Sequence, residues 1–166
     1  MFFVESREEL PVCPVCAGTL KYRDCKKRIL KRDGGERSWL MIRRFKCGSC
    51  RRYHNELPDC LTPYKHYSSE IISGVLDEIV TPMDLDTEDY PCLQTMIRWI
   101  KWFNRNLANI EGQLRQIGSH LLNLGEELLF STNSLLDTIR SSRPKWLEII
   151  LRVIYNSGGK LSALPW

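Results

Sequence analysis

A heptad repeat of apolar residues is the most regular pattern along this chain. Apolar residues recur at alternating steps of three and four at Leu93, Met96, Ile100, Phe103, Leu107, Ile110, Leu114, Ile117, Leu121, Leu124 and Leu128. This seam of 36 residues predicts an amphipathic helix, which would span ~54 Å if unbroken. Gly112, Gly118 and Gly125 lie off the seam. Because glycine costs about 1 kcal/mol relative to alanine in a helix, they mark positions where the helix could break.

An apolar seam must be covered by other apolar surface, and two arrangements are open. Two copies of the chain can pair through Leu93–Leu128 as a coiled-coil homodimer, which the unbroken spacing favours. Alternatively, the seam folds into a bundle against an apolar final helix around Trp146 to Ile154, which the glycines favour. Arg143-Pro144 opens that helix and Gly158-Gly159 closes it. No apolar stretch is long enough to span a bilayer, so we expect no membrane association.

A shorter helix is predicted upstream of the seam. Ser68-Ser69-Glu70 precedes apolar residues at helical spacing and supplies a capping side chain. Thr81-Pro82 is expected to end this helix, and Pro91 suits the first turn of the next one.

The residues before this helix have the pattern of β-strands. Thr19 to Leu30 and Arg37 to Lys46 flank Asp33-Gly34-Gly35, a turn in which glycine supplies positive φ at little steric cost. These segments predict a β-hairpin, and Arg52 to Leu57 predicts a further short strand.

Four of the seven cysteines form two Cys-x-x-Cys pairs that flank the hairpin. Tight turns that each present two thiolates are typical of a zinc ribbon, so Cys13, Cys16, Cys47 and Cys50 are expected to bind one structural Zn²⁺. Four thiolates close the coordination sphere and leave no position for catalysis. Cys25, Cys60 and Cys92 are interpreted as buried small apolar residues. His54 and His66 are interpreted as surface or phosphate-contacting residues rather than ligands.

The setting of the cysteines indicates a reduced environment. Their odd number does not suit a fully paired disulfide framework, and the N-terminus turns charged at Glu5 before a signal core can form. We therefore expect a cytoplasmic protein.

Charge is unevenly distributed. Residues 1–66 carry 15 Lys/Arg and 8 Asp/Glu, whereas residues 67–97 carry 7 acids and no base. Such a basic stretch on a ribbon suits nucleic-acid phosphates, although a solvated β-surface has the same composition. The residues expected to contact the DNA backbone are Lys26, Lys27, Arg28, Lys31, Arg32, Arg43, Arg44, Arg51 and Arg52.

Several motifs together resemble the N-terminal region of bacterial insertion-sequence transposases and their small stand-alone relatives. They are Cys13-Pro14-x-Cys16, then Arg43-Arg44-Phe45-Lys46-Cys47-x-x-Cys50, then Tyr53-His54-x-Glu56-Leu57-Pro58-Asp59. The resemblance covers roughly residues 10–105. It implies a zinc ribbon followed by a helix-turn-helix that binds DNA, without the acidic catalytic core of those transposases.

On this resemblance the helix after Pro91 is the recognition helix. Trp99 and Trp102 are expected to pack inside. The polar residues left facing outward to read bases are Gln94, Thr95, Arg98, Lys101 and Arg105. The acidic residues between Asp84 and Asp89 would repel DNA, which leaves open that the middle region binds protein instead.

The sequence thus predicts an α+β chain with a four-cysteine zinc ribbon (residues 1–66), a helix-turn-helix-like region (67–106) and a helical bundle or coiled coil (107–166). The leading hypothesis is a DNA-binding accessory factor or regulator associated with a mobile element. The alternative is an adaptor whose helical region docks a protein partner. We expect no enzyme activity and no small-molecule substrate, because no His/Glu/Asp cluster of suitable spacing accompanies the cysteines.

Overall fold

The computed structural model describes residues 1–4, 11–84, 91–121 and 132–163, which form an α+β structure. Its strands are β1 (Phe2–Val4), β2 (Leu20–Lys31), β3 (Arg37–Cys47) and β4 (Tyr53–Pro58). The helices in these ranges are α1 (Ser69–Leu76), α2 (Leu93–Leu121), α3 (Leu135–Ser142) and α4 (Trp146–Asn156). Over the same ranges, no helix combines the length and apolar character that a membrane span requires.

The β-hairpin is present as predicted. Strands β2 and β3 pair antiparallel from Leu20 opposite Cys47 to Lys31 opposite Arg37. The turn between them contains Gly34 and Gly35 at φ 66° and 72°, where a side chain would be strained. The further strand is present as β4, antiparallel to β3. The sequence pattern did not indicate β1, which pairs parallel with β4 and completes a mixed sheet in the order β1-β4-β3-β2.

Helix α1 begins as predicted and ends earlier than Thr81-Pro82. The hydroxyl of Ser68 accepts a hydrogen bond from the amide of Ile71 and caps the helix. Glu78 then adopts φ 58°, and the amide of Ile79 donates to the carbonyl of Gly74 at 2.9 Å. A left-handed residue of this kind satisfies the last carbonyls and ends the helix before the proline is reached.

Helix α2 packs against α1, α3 and α4 of its own chain. Gly112 and Gly118 do not break it, and Gly125 lies outside the described residues. The buried stripe is rotated only partly from the heptad seam: it keeps the seam residues Met96, Phe103, Ile110 and Leu114 and adds Trp99, Trp102 and Asn106. The seam residues Leu93 and Leu107 stay 46% and 38% exposed. The described part of the seam thus folds within the chain and shows no coiled coil, and the homodimer stays a prediction.

Hydrogen bonds to the C-terminal segment explain part of this rotation. Asn106, 1% exposed, donates to the carbonyl of Ser162 at 3.2 Å and accepts from its amide at 2.9 Å. The indole of Trp102 donates to the same carbonyl at 3.0 Å. Trp99 and Trp102 are each 3% exposed, so their predicted packing role is confirmed.

The sheet and the helices share one apolar core. Leu30, Ile42 and Leu57 from the strands belong to the same buried cluster as Ile72 and Ile150 from the helices. The three proposed regions, 1–66, 67–106 and 107–166, remain a prediction.

No helix-turn-helix is shown by the described residues. That motif joins its helices by a turn of roughly three or four residues. Here residues 77–92 separate α1 from α2, and positions 85–90 within that connection lie outside the described part.

Asp77 connects three of the helices at one point. Its carboxylate accepts a hydrogen bond from Arg140 Nε at 2.5 Å and another from the Trp146 indole at 2.7 Å. The Arg140 guanidinium also lies over the Trp146 ring, 5.1 Å from its centroid, and donates to the carbonyl of Leu76. One carboxylate at the end of α1 therefore fixes the positions of α3 and α4.

We expect the substitution Asp77→Ala to destabilise the fold by ~2 kcal/mol, because it leaves the partly buried Arg140 and Trp146 donors without their acceptor. Urea denaturation measures the change. Asp137→Ala is the matched control, since this aspartate is exposed on α3, and it should shift the unfolding free energy by less than about 0.5 kcal/mol. Equal effects of the two substitutions would contradict the assigned role of Asp77.

Candidate metal centre

The two Cys-x-x-Cys segments fold into turns of the same shape. In the first, the amide of Cys13 donates to the carbonyl of Gly18 at 2.9 Å; in the second, the amide of Cys47 donates to that of Arg52 at 2.9 Å. In both, the residue after the second cysteine has left-handed backbone, Ala17 at φ 55° and Arg51 at φ 59°. Each turn consequently directs both of its thiols to one side.

The hairpin brings the two turns together. The Sγ atoms of Cys13, Cys16, Cys47 and Cys50 all lie within 4.8 Å of one another. The closest approaches run between the turns, with Cys16 Sγ 3.5 Å from Cys47 Sγ and Cys13 Sγ 3.7 Å from Cys50 Sγ. These distances exceed a disulfide bond, and all four cysteines are free. A tetrahedral metal with four sulfur ligands at about 2.3 Å places its sulfurs roughly 3.8 Å apart, so the cluster fits one metal ion.

The electrostatics of the thiols favour a cation among them. The backbone amide of Cys50 donates to Cys47 Sγ at 3.4 Å and lowers the pKa of Cys47 to about 6. The backbone amide of Arg52 acts to lower the pKa of Cys50, but burial and the neighbouring thiols raise it to about 11. Without a metal the thiols cannot all ionise, because their charges repel. A divalent cation removes that repulsion, and its binding releases protons.

His54 is a residue of this centre whose place the sequence reasoning missed. It was expected at the surface, but it is 5% exposed and its Nε2 lies 3.4 Å from Cys13 Sγ. The prediction was wrong because β4 alternates: Tyr53 faces solvent and the next residue faces the cluster. Burial, followed by the nearby N-terminal amine and Arg52, lowers the pKa of His54, so the ring is neutral at pH 7 and can donate an N–H to the thiolate.

The remaining cysteines and histidine lie apart from the cluster. Cys25 and Cys92 are exposed and Cys60 is half-buried, so the expectation that all three are buried was wrong. Cys25 lies on an edge strand and Cys92 precedes the first turn of α2, where neither is covered. His66 is exposed, as expected.

More than half of the predicted backbone-contacting bases already have partners within the chain. Arg43 forms two 2.6 Å hydrogen bonds with Glu56, and Arg44 donates from Nε and Nη2 to the two carboxylate oxygens of Asp24. Arg28 donates to the carbonyls of Thr62 and Lys65, and burial lowers its pKa. Arg32 approaches Glu36 at 3.5 Å, and Lys31 lies over the Tyr67 ring.

The other predicted bases are exposed. In the described part of the chain, no carboxylate forms a salt bridge with Lys26, Lys27, Arg51 or Arg52. Of the residues predicted to face outward on α2, Thr95 is half-buried. The others are exposed: Gln94, Arg98, Lys101 and Arg105.

A further group of basic residues surrounds Tyr53 next to the cysteine cluster. Lys21 and Lys46 stand directly opposite each other on β2 and β3, and Lys46 is also the register partner of Tyr53 on β4. The charged atoms of Arg23 and Lys46 lie 4.8 and 5.6 Å from the centroid of the Tyr53 ring, which belongs to a residue 58% exposed. Register across three strands brings these residues together, which is why sequence clustering alone did not single them out.

The fold and the site define an α+β protein with a four-cysteine cluster suited to one metal ion. The family model for the domain of unknown function DUF6431 matches residues 13–99, just over half of the chain, and the chain belongs to this family. The match begins at the first cysteine of the cluster and ends in α2. It is not to a transposase or helix-turn-helix family, so that part of the resemblance remains unsupported. Curated proteins yield no match, and neither do solved structures.

Removal of the metal should unfold the cysteine-bearing part of the sheet. Elemental analysis should give one metal ion per chain, and Cys47→Ala should lose the ion. Loss of the ion should remove metal-linked folding free energy on the order of 10 kcal/mol. Thermal melting with and without a chelator measures the loss. Cys92→Ala, at an exposed position outside the cluster, is the control and should keep both the ion and the melting temperature.

His54→Leu should weaken metal affinity by about tenfold without changing the ligands, because it removes an N–H donor to the Cys13 thiolate. The Co²⁺-substituted protein should keep the absorption spectrum of four thiolate ligands. His66→Leu should leave the affinity unchanged. A change in the cobalt spectrum of the His54 variant would instead identify this histidine as a ligand.

Proposed function

We propose that the chain is a zinc-dependent DNA-binding protein without catalytic activity, which acts as an accessory factor or regulator. Zinc is the proposed ion because it prefers tetrahedral sites made of thiolates, whereas iron bound by four thiolates is a redox centre. A four-thiolate zinc site has no open position, so its role is to hold the two turns and the hairpin between them in place.

The observation that carries the DNA-binding proposal is the basic group around Tyr53. Like charges directly opposite each other on neighbouring strands are destabilising, and Lys21 and Lys46 are such a pair. A bound phosphate relieves this repulsion and releases counterions from the nucleic acid. Arg23, whose Nε also lies 3.6 Å from Asp24, and the exposed Tyr53 extend the same surface. A tyrosine hydroxyl commonly donates a hydrogen bond to phosphate.

The position of this surface links it to the metal. Lys46 immediately precedes Cys47, Leu20 opposite Cys47 immediately precedes Lys21, and Arg51 and Arg52 follow Cys50. The backbone that carries these bases is therefore fixed by the turns that hold the ion. Loss of zinc should disperse the basic residues and weaken DNA binding through the fold, even though no ligand cysteine contacts DNA.

The proposal places base reading on the exposed face of α2, with Gln94, Thr95, Arg98, Lys101 and Arg105 as the residues that meet base edges. A helix in the major groove presents such residue types to donors and acceptors on the bases. This second surface is separate from the basic group around Tyr53, which would hold the backbone.

Arg43 and Arg44 are poor probes of DNA binding, because each holds a carboxylate inside the sheet. The sharper test is the double substitution Lys21→Gln/Lys46→Gln. It should weaken binding to all duplex sequences alike and reduce the slope of log affinity against log salt by about 2, one unit for each lost phosphate contact. Gel shift or fluorescence anisotropy over a salt series measures it.

Arg143→Gln/Lys160→Gln is the matched control, since it removes the same charge from exposed positions in the helical region. It should leave the salt slope unchanged. An equal loss in the two double variants would show that only net charge matters and would remove the assigned surface.

A protein-docking adaptor is the second candidate. It is favoured by Leu93 and Leu107, which lie two heptads apart on α2 and are exposed at 46% and 38%. Absence of any DNA shift at low salt, together with a protein that co-purifies and is lost on Leu107→Gln, would select the adaptor over the DNA-binding protein.

A further inference from the structure

A second basic and aromatic region, separate from the basic group around Tyr53, lines a cavity of about 600 Å³. Four segments that are distant in sequence line it: the end of β2, residues 64–67, the start of α2 and the C-terminal segment at Ala163. Its volume falls in the range of roughly 300–1,000 Å³ that is typical of small-ligand sites.

The charged side chains among the described residues of the cavity wall are all basic. Lys31, Lys65 and Arg98 supply the positive charge and His66 lies beside them, and no aspartate or glutamate is among the described residues of the wall. Within those ranges, none of the four forms a salt bridge with a carboxylate. Cationic groups gathered in a concave site without a counter-ion attract an anion.

Partial burial disfavours the charged form of the basic side chains in the cavity. Burial lowers the pKa of Lys65, whose ammonium group lies 4.7 Å from the centroid of the Trp102 ring. Burial, then Arg28 and Lys31, lowers the pKa of His66. An anion in the cavity would offset both effects.

Aromatic side chains form a second part of the wall. Tyr64, Tyr67 and Trp99 line the cavity, and Tyr67 meets Trp99 edge-on with ring centroids 5.2 Å apart. Tyr64 is 55% exposed although it is large, and its backbone holds φ 63°, a conformation that is unfavourable for a tyrosine. Strained residues of this kind persist where the surrounding structure imposes them, commonly at binding sites.

The loop that carries Tyr64 and Lys65 is held in place from the sheet. The Nη2 atom of Arg28 on β2 donates two hydrogen bonds, to the carbonyl of Thr62 at 2.8 Å and to the carbonyl of Lys65. Thr62 is fully buried, and its hydroxyl lies 3.1 Å from that of Ser69 on α1. The backbone of the loop that carries Tyr64 and Lys65 is therefore preorganised, which lowers the cost of binding.

We infer that this cavity binds a single nucleotide, with the base against Tyr64 and Tyr67 and the phosphate among Lys31, Lys65, His66 and Arg98. A nucleotide combines the two features of the wall, a flat aromatic ring and an anionic group, and bases stack on aromatic side chains with little dependence on sequence. The nucleotide can be free or can belong to an unpaired position of a nucleic-acid strand. The inference does not depend on duplex binding by the hairpin.

Calorimetric titration of the metal-loaded full chain tests this with three small probes: deoxyadenosine monophosphate, deoxyadenosine and inorganic phosphate. The monophosphate should bind at least tenfold more tightly than either fragment. Arg98→Gln should weaken binding of the monophosphate about tenfold and leave binding of deoxyadenosine unchanged, because it removes a charge-assisted contact to phosphate. Arg143→Gln, exposed in the helical region and not part of the wall, is the matched control and should bind like the unmodified protein.

A second variant tests the aromatic side of the site. Asparagine suits the left-handed backbone, so the Tyr64→Asn variant should fold normally. It should bind deoxyadenosine and its monophosphate several-fold more weakly and bind inorganic phosphate with unchanged affinity. Lys21→Gln/Lys46→Gln should keep full monophosphate binding, which separates this site from the hairpin surface.

Comparison with a single-stranded oligonucleotide identifies the source of the nucleotide. An oligonucleotide that binds at least tenfold more tightly than the monophosphate, and loses that advantage on Arg98→Gln, indicates a strand. Equal affinities indicate a free nucleotide. The inference is overturned if the monophosphate binds no more tightly than inorganic phosphate, or if Arg98→Gln and Arg143→Gln reduce its binding equally.

Discussion

Convergence of four thiols is the constraint on which the rest of the sheet depends. The Sγ atoms come from two turns separated by 30 residues and approach within 4.8 Å, a distance at which ionised thiols repel one another. A metal ion changes this repulsion into the strongest attraction in the region. The small apolar cluster beside it, formed by Phe2, Leu20 and Phe45 with two of the cysteines, is too small to hold the turns by itself.

The cysteine cluster and the helical core are attached to each other at several points. The side chain of Asn156 at the end of α4 forms two hydrogen bonds with the backbone of Phe3 on β1. Gly158 packs so closely on the first turn that a Cβ atom there would lie 2.6 Å from the carbonyl oxygen of Pro14. Disorder at the metal site would therefore extend to the C-terminal helix, and the orientation of the basic hairpin relative to α2 depends on both.

Basic residues in this protein serve two different purposes that their sequence does not distinguish. Arg28, Arg43 and Arg44 satisfy carbonyls or carboxylates and act as parts of the structure. Lys26, Lys27, Arg51 and Arg52 face solvent, and Lys21 and Lys46 oppose each other. Lys21 and Lys46 carry the proposed phosphate contact for this reason, because a base that no internal carboxylate or carbonyl holds is available to an external anion at low cost.

Local patterns in the sequence determined most of the elements, though not β1 or α3, and they determined the four-cysteine cluster. The Asp33-Gly34-Gly35 turn, the Ser68 cap and the paired cysteine turns depend on a few neighbouring residues, so their physical requirements are visible in the chain. Tertiary structure decided how the buried face of α2 departs from the heptad seam, because Asn106 and Trp102, which lie off the seam, find their partners at Ser162, far along the chain. It also decided that His54 meets Cys13, that Lys21 meets Lys46, and that a cavity forms between β2 and α2. Each of these depends on the register and packing of segments distant in sequence, which no local periodicity records.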